Sequence, residues 1–183
     1  LGTLPIDSSV RSVIQSAAQV FSGLGAQVVQ DHPNLTGAME VFQAQRAAGL
    51  RTLGRSLDLA FPNWRDDAKD TAIWNIERGF ALTADELLHA EQLRTKIYAD
   101  TVAFFERYDV LALPAAQVPP FAIEQAWVSE IDGINLETYI DWMAVCCMIT
   151  VTGLPTLSIP AGFTSAGLPI GVQLVGKPRG ELD

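Results

Sequence analysis

Any chemistry in this chain has to come from a short inventory of side chains. The two histidines, His32 and His89, lie far apart, and the two cysteines, Cys146 and Cys147, are adjacent. A structural or catalytic metal needs ligands clustered at short spacing, and neither pair has such partners, so no metal is expected. Neighbouring cysteines do not reach relaxed disulfide geometry. Cys146 and Cys147 therefore read as small apolar side chains packed in a buried helix. A serine triad needs its nucleophile on a sharp strand-to-helix turn. No Gly-x-Ser-x-Gly occurs, and Thr164-Ser165-Ala166-Gly167 reads as an ordinary turn. Gly23-Leu24-Gly25 does not join a strand to a helix, so it fails as a phosphate loop. Asp66-Asp67 falls at a helix start, where the helix dipole favours carboxylates. Trp127, in a long connection, and Trp142, opening an apolar helix, are the side chains best placed to line a pocket.

Composition narrows the classes further. The 183 residues suit one domain with a substantial core, and 49% hydrophobic content excludes disorder. The net charge of −9, with no basic cluster, argues against a nucleic-acid partner. No apolar run approaches the ~20 residues of a membrane span. The start, Leu1-Gly2-Thr3-Leu4-Pro5, lacks a basic region and an initiator Met, so it reads as a fragment or processed chain and not as a signal peptide. The absence of a disulfide framework is compatible with a reducing, cytoplasmic setting.

The elements that would position these residues alternate between helix and strand. Asp7 or Ser8 caps a helix with an apolar stripe from Val10 to Leu24, stopped at Gly25. A strand is expected over 26–30. A second helix runs from Thr36 to Leu59 and should bend at Gly49 or Gly54. A short helix is expected from Asp66 to Arg78, ending at Gly79. Thr83-Ala84-Asp85-Glu86 is a capping box opening a helix whose stripe runs from Leu87 to Tyr108. Asp109–Pro114 reads as a buried strand. Residues 115–135 form a long connection, and a helix follows from Leu136 to Ile149. Two Gly-Leu-Pro triplets, Gly153–Pro155 and Gly167–Pro169, then open short apolar runs that read as strands covered on both faces. The fold class is α/β, a mixed twisted β-sheet flanked by helices.

The block from Thr152 to Phe163, followed by Gly167 to Gly176, closely resembles the C-terminal half of amidase-signature hydrolases. Tyr108–Pro114 is similar to that family's Tyr-Asp-apolar-strand-Pro segment, and Asp7–Asp31 to its helix, turn and strand. Thr138–Met143 is similar to a bacterial subgroup's lead-in to the last strands.

The resemblance implies hydrolysis or transfer of a carboxamide nitrogen by a serine nucleophile, a second serine in a cis peptide and a lysine. These lie in a Gly/Ser-rich N-terminal half that this sequence does not contain. Lys69, Lys96 and Lys177 match no catalytic position, so no catalytic residue is carried over. The resemblance implies that residues 115–147 help wall the acyl pocket, and the substrate-binding candidates are Trp127, Trp142, Met143 and Cys146. Thr150 stands where the family often has asparagine. Met143 stands where glutamine-using transferases carry a carboxylate, which favours a hydrophobic amide; a carboxylate supplied by Asp141 would reverse that. No cofactor is implied. The expected partners are a small-molecule amide and the N-terminal half of the same enzyme, with a homodimer also compatible. The alternatives are a non-catalytic binding or scaffolding module and one component of a glutamine-dependent amidotransferase. The isolated chain is expected to be inactive and to associate through exposed apolar strands.

Overall fold

A computed structural model describes residues 4–181; Leu1–Thr3, on which the reading of the chain's start falls, and Leu182–Asp183 lie outside the described residues. Helix α1 spans Ser8–Gly23, and the Asp7 carboxylate accepts from the Ser9 amide at 2.8 Å, capping an otherwise orphaned donor. Its buried face, Val10 and Val13, packs with Ile170 of the sheet. Full burial of a valine such as Val10 stabilises by about 1.5–3 kcal/mol.

Residues 26–30 form no strand. No strand among the described residues pairs with them, and Val28 and Val29 remain about half exposed. The segment is instead tied at its end. Tyr108 donates to Asp31 Oδ2 at 2.7 Å, and Arg107 lies 3.5 Å from the same oxygen. The Tyr108 bond, then the His32 amide, hold the Asp31 carboxyl below its ordinary range.

Helix α2 (Ala38–Ala60) continues through Gly49 and Gly54 with no break. The expected Asp66–Arg78 helix is two: a single turn, α3 (Trp64–Asp67), and α4 (Asp70–Ala81), which continues through Gly79. The reason is packing. A Cβ on Gly54 would lie 2.3 Å from Ile76 Cγ2, and a Cβ on Gly79 would lie 2.4 Å from the Ala47 carbonyl oxygen. One glycine on each helix lets α2 and α4 cross in close contact, and that contact outweighs glycine's poor helix propensity. Arg65 bridges Asp58 at 2.8 Å and Glu77 at 3.0 Å, and its guanidinium sits 4.4 Å from the Trp64 ring, strapping α3 to both neighbours.

Helix α5 (Ala84–Phe104) opens on the complete Thr83–Glu86 capping box. Ala90, Ile97, Thr101 and Phe104 are its buried positions, as the stripe requires. Tyr108 lies beyond the helix but stacks on Phe104 with centroids 4.5 Å apart.

The sheet is three-stranded, in the order β1 (Leu111–Pro114), β5 (Pro169–Val175), β4 (Thr156–Phe163), and both pairings are antiparallel. Leu111 and Thr156 both register with Val175, which is fully buried. Central β5 is largely buried, but β4 is an edge strand with Leu157 60% and Phe163 71% exposed. Cover on both faces therefore holds for the second Gly-Leu-Pro strand and not for the first. Strand β1 alternates between buried and exposed residues, and Val110 before it is exposed.

The two Gly-Leu-Pro triplets do different work. Gly153 (φ +66°) is the left-handed cap of α6 (Ala144–Thr152). Gly167 (φ +78°) belongs to the turn between β4 and β5, where Thr164 N donates to Leu168 O at 2.9 Å. The main core joins α2, α5, β1, α6 and β5 through Val41, Ile97, Leu113, Ile149 and Val175. Among the described residues no helix is long and apolar enough to cross a membrane.

Candidate functional site

The long connection leaves β1 at Pro114 and is pinned at once. Gln117 is fully buried. Its side-chain amide donates to Pro5 O and its side-chain oxygen accepts from Val145 N, both at 3.0 Å; its backbone oxygen takes the Asp7 amide at 2.9 Å. One residue thus fixes the entry to α1, the start of the connection and the start of α6. Gln173 of β5 supports the same corner by donating to Pro114 O at 2.8 Å.

Beyond it the chain forms a small hairpin, β2 (Glu130–Ile131) and β3 (Ile134–Asn135). Asp132 and Gly133 both have positive φ in its turn, the geometry that an Asp-Gly pair favours between strands. The expected helix from Leu136 begins only at a 3-10 turn, Asp141–Met143, continuing into α6. The cause is Asp141. Its carboxylate accepts from the Glu137 and Thr138 amides at 3.1 and 2.6 Å, folding residues 137–140 into a local turn.

The structure separates the predicted site residues. Trp127 lines an open groove of about 270 Å³, together with Asp70, Thr71 and Trp74 of α4 and Glu137, Thr138 and Tyr139. Trp142 packs instead with Val118, Val128 and Ile131, and edge-on to Phe121 at 5.4 Å. Its Nε1 is buried without a partner among the described residues. Met143 occupies the N-cap position of α6 without a side-chain capping bond. Cys146 donates from Sγ to Ala115 O at 2.6 Å. Burial raises the Cys146 thiol pKa; burial, then the adjacent Cys146, pushes Cys147 up to about 12. Both thiols are held protonated and are poor nucleophiles.

Next to the groove, through Tyr139, lies a polar network that sequence reasoning missed. Arg46 Nε donates to Asn75 Oδ1 at 3.1 Å, and Arg46 Nη2 and Asn75 Nδ2 both donate to the Tyr139 hydroxyl oxygen. The guanidinium carbon lies 5.9 Å from the Tyr139 ring centroid. Asn75 is buried and satisfied by this set, so α2, α4 and the segment before α6 are locked together. The available signal was Asn75 itself, a polar residue inside the apolar run Ile73-Trp74-Asn75-Ile76.

The arrangement can bind and orient, but the described residues supply no activated nucleophile. Lys177 is engaged by Asp109 at 2.9 Å, and no serine–lysine hydrogen bond occurs among the described residues.

Comparison with known proteins places this geometry. The chain is 26% identical over 183 residues to an acylamidase of Rhodococcus erythropolis, covering 98% of this chain and 37% of that protein. It is 31% identical over 194 residues to a component of the glutamyl-tRNA(Gln) amidotransferase of Lactiplantibacillus plantarum, covering 94% of this chain and 38% of that one. Its fold matches a bacterial aryl acylamidase of the amidase signature family with a TM-score of 0.81 at 24% identity, covering 100% of this chain and 39% of that structure. The chain thus spans about a third of the length of the curated relatives it matches. The family model described as Amidase matches residues 2–182, and the chain belongs to the amidase signature family.

Proposed function

We propose that this chain is the C-terminal half of a single amidase-signature domain whose N-terminal half carries a Ser–cis-Ser–Lys triad. The whole protein hydrolyses a hydrophobic, aryl or acyl amide to a carboxylate and ammonia or an amine. In that reaction the serine attacks the amide carbon, the second serine and lysine relay its proton to the leaving nitrogen, backbone donors stabilise the oxyanion, and water then cleaves the acyl–serine ester to release the carboxylate and the free serine. This chain supplies the sheet floor through β4 and β5 and a pocket wall through residues 115–147, in a cytoplasmic setting that keeps Cys146 and Cys147 reduced. The observation that carries the reading is a family match across residues 2–182 with no lysine–serine contact among the described residues.

The relatives among amidotransferase components favour glutamine as an alternative substrate. Two features weigh against it. Met143 is apolar, and the Asp141 carboxylate is already engaged by two backbone amides, leaving it poorly placed to meet an amino-acid ammonium. The test offers the intact gene product an aryl acylamide and glutamine side by side. Hydrolysis of the aryl acylamide without glutaminase activity is the expected outcome. Glutamine turnover with no aryl acylamide turnover would assign the chain to the transferase class.

A further inference from the structure

We propose that the groove between α4 and the segment preceding α6 binds an organic ammonium ion. The groove takes in Trp127 and Glu137–Tyr139 of the proposed pocket wall, but ammonium binding there goes beyond amide hydrolysis and is read out without it.

Two independent features meet in the groove. The first is a corner of aromatic rings. Trp74 and Tyr139 stand nearly perpendicular, at 81°, with centroids 6.3 Å apart, and Trp127 adds a third ring. Trp74 stays 43% exposed, so the core leaves much of its surface open. Rings arranged in this way attract a cation through their negative faces, and methylated or alkylated ammonium groups are the cations they recognise best.

The second feature is charge. Asp70 and Glu137 lie on the rim, and no lysine or arginine lines the groove. Neither carboxylate forms an ion pair among the described residues. Arg46 does not line the groove, but its guanidinium carbon lies 5.9 Å from the Tyr139 ring centroid and it donates to the Tyr139 hydroxyl, so Trp74 and Trp127 are the rings left to a ligand cation. A neutral apolar ligand would gain nothing from the two carboxylates, which are exposed to water. A small inorganic cation would gain little from the rings and would have to shed tightly held water. An organic ammonium satisfies rings and carboxylates together. The net charge of −9 adds a long-range field that concentrates such cations.

The test is calorimetric titration of the intact gene product with choline, and with its uncharged isostere in which carbon replaces nitrogen, at fixed ionic strength. Choline should bind saturably and the isostere at least about tenfold more weakly. Trp127→Leu and Glu137→Gln should each weaken choline binding about tenfold. Glu137 is exposed, so E137Q should keep its fold, and an unchanged circular dichroism spectrum verifies this. No saturable choline binding, equal binding of the isostere, or choline binding unchanged in both variants would overturn the proposal.

Discussion

The Gln117 side-chain oxygen accepts the Val145 amide hydrogen at 3.0 Å, joining the first residues of the long connection to the first turn of α6. The same side chain donates to Pro5 O. Gln117 and Val145 are both buried, so the Val145 amide has no water to turn to if the Gln117 side chain is lost. Gln117→Met keeps the volume and removes both bonds. It should destabilise the protein by about 2–4 kcal/mol, read as a lower urea midpoint with an unchanged slope.

The glycines of α2 and α4 should split into opposite classes. A Cβ at Gly79 meets backbone atoms, Ala47 O at 2.4 Å and Arg51 N at 2.8 Å, which cannot move aside cheaply. Gly79→Ala should cost about 2–4 kcal/mol by overpacking. Gly49 lies inside α2 with open space around it. Gly49→Ala should stabilise by about 0.5–1 kcal/mol. Thermal melts of the two variants against the parent check both signs.

The capping box ties stability to pH. The Thr83 backbone and side-chain bonds, and more weakly Arg78, lower the Glu86 pKa from its usual 4.5. A carboxyl whose folded pKa is depressed contributes stability that is fully present above its unfolded pKa. That contribution disappears as pH falls through the folded value. Acid titration of stability should therefore show a component lost from about pH 4.5 downward. Glu86→Gln should remove that component and leave the profile above about pH 6 parallel to the parent.

Edge strand β4 presents Leu157 and Phe163 to solvent in this chain. Unpaired, apolar edges associate. The 183-residue chain by itself should sediment as concentration-dependent oligomers, and replacing both residues by lysine should shift it towards monomer. A parent chain that stays monomeric at all concentrations would contradict the assignment of β4 as a surface awaiting cover.

Much of the fold was legible where the determinants are local. The Asp7 cap, the Thr83–Glu86 box and the Gly25 stop each act within a few residues, so their signals survive in sequence alone. The misses are long-range or competitive. Residues 26–30 have strand composition but no partner strand, and composition does not report pairing. Gly54 and Gly79 read as helix breakers until Ile76 and the Ala47 carbonyl are seen to need their space. The apolar run after Leu136 hides the turn that Asp141 imposes on residues 137–140. At the candidate site, Trp127 stands out by its place in the long connection, whereas Trp74 and Tyr139 beside it carry no such mark. The network joining Arg46 to Tyr139 spans 93 positions in sequence, and no spacing rule links them.

The central claim is that this chain carries the scaffold of an amidase and the reacting groups come from sequence outside it. The most direct measurement is aryl acylamide turnover by the purified 183-residue chain beside the intact gene product, with and without a serine-directed inhibitor. The expected result is inhibitor-sensitive turnover by the intact product and none by the chain alone. Inhibitor-sensitive turnover by the 183 residues on their own would contradict it.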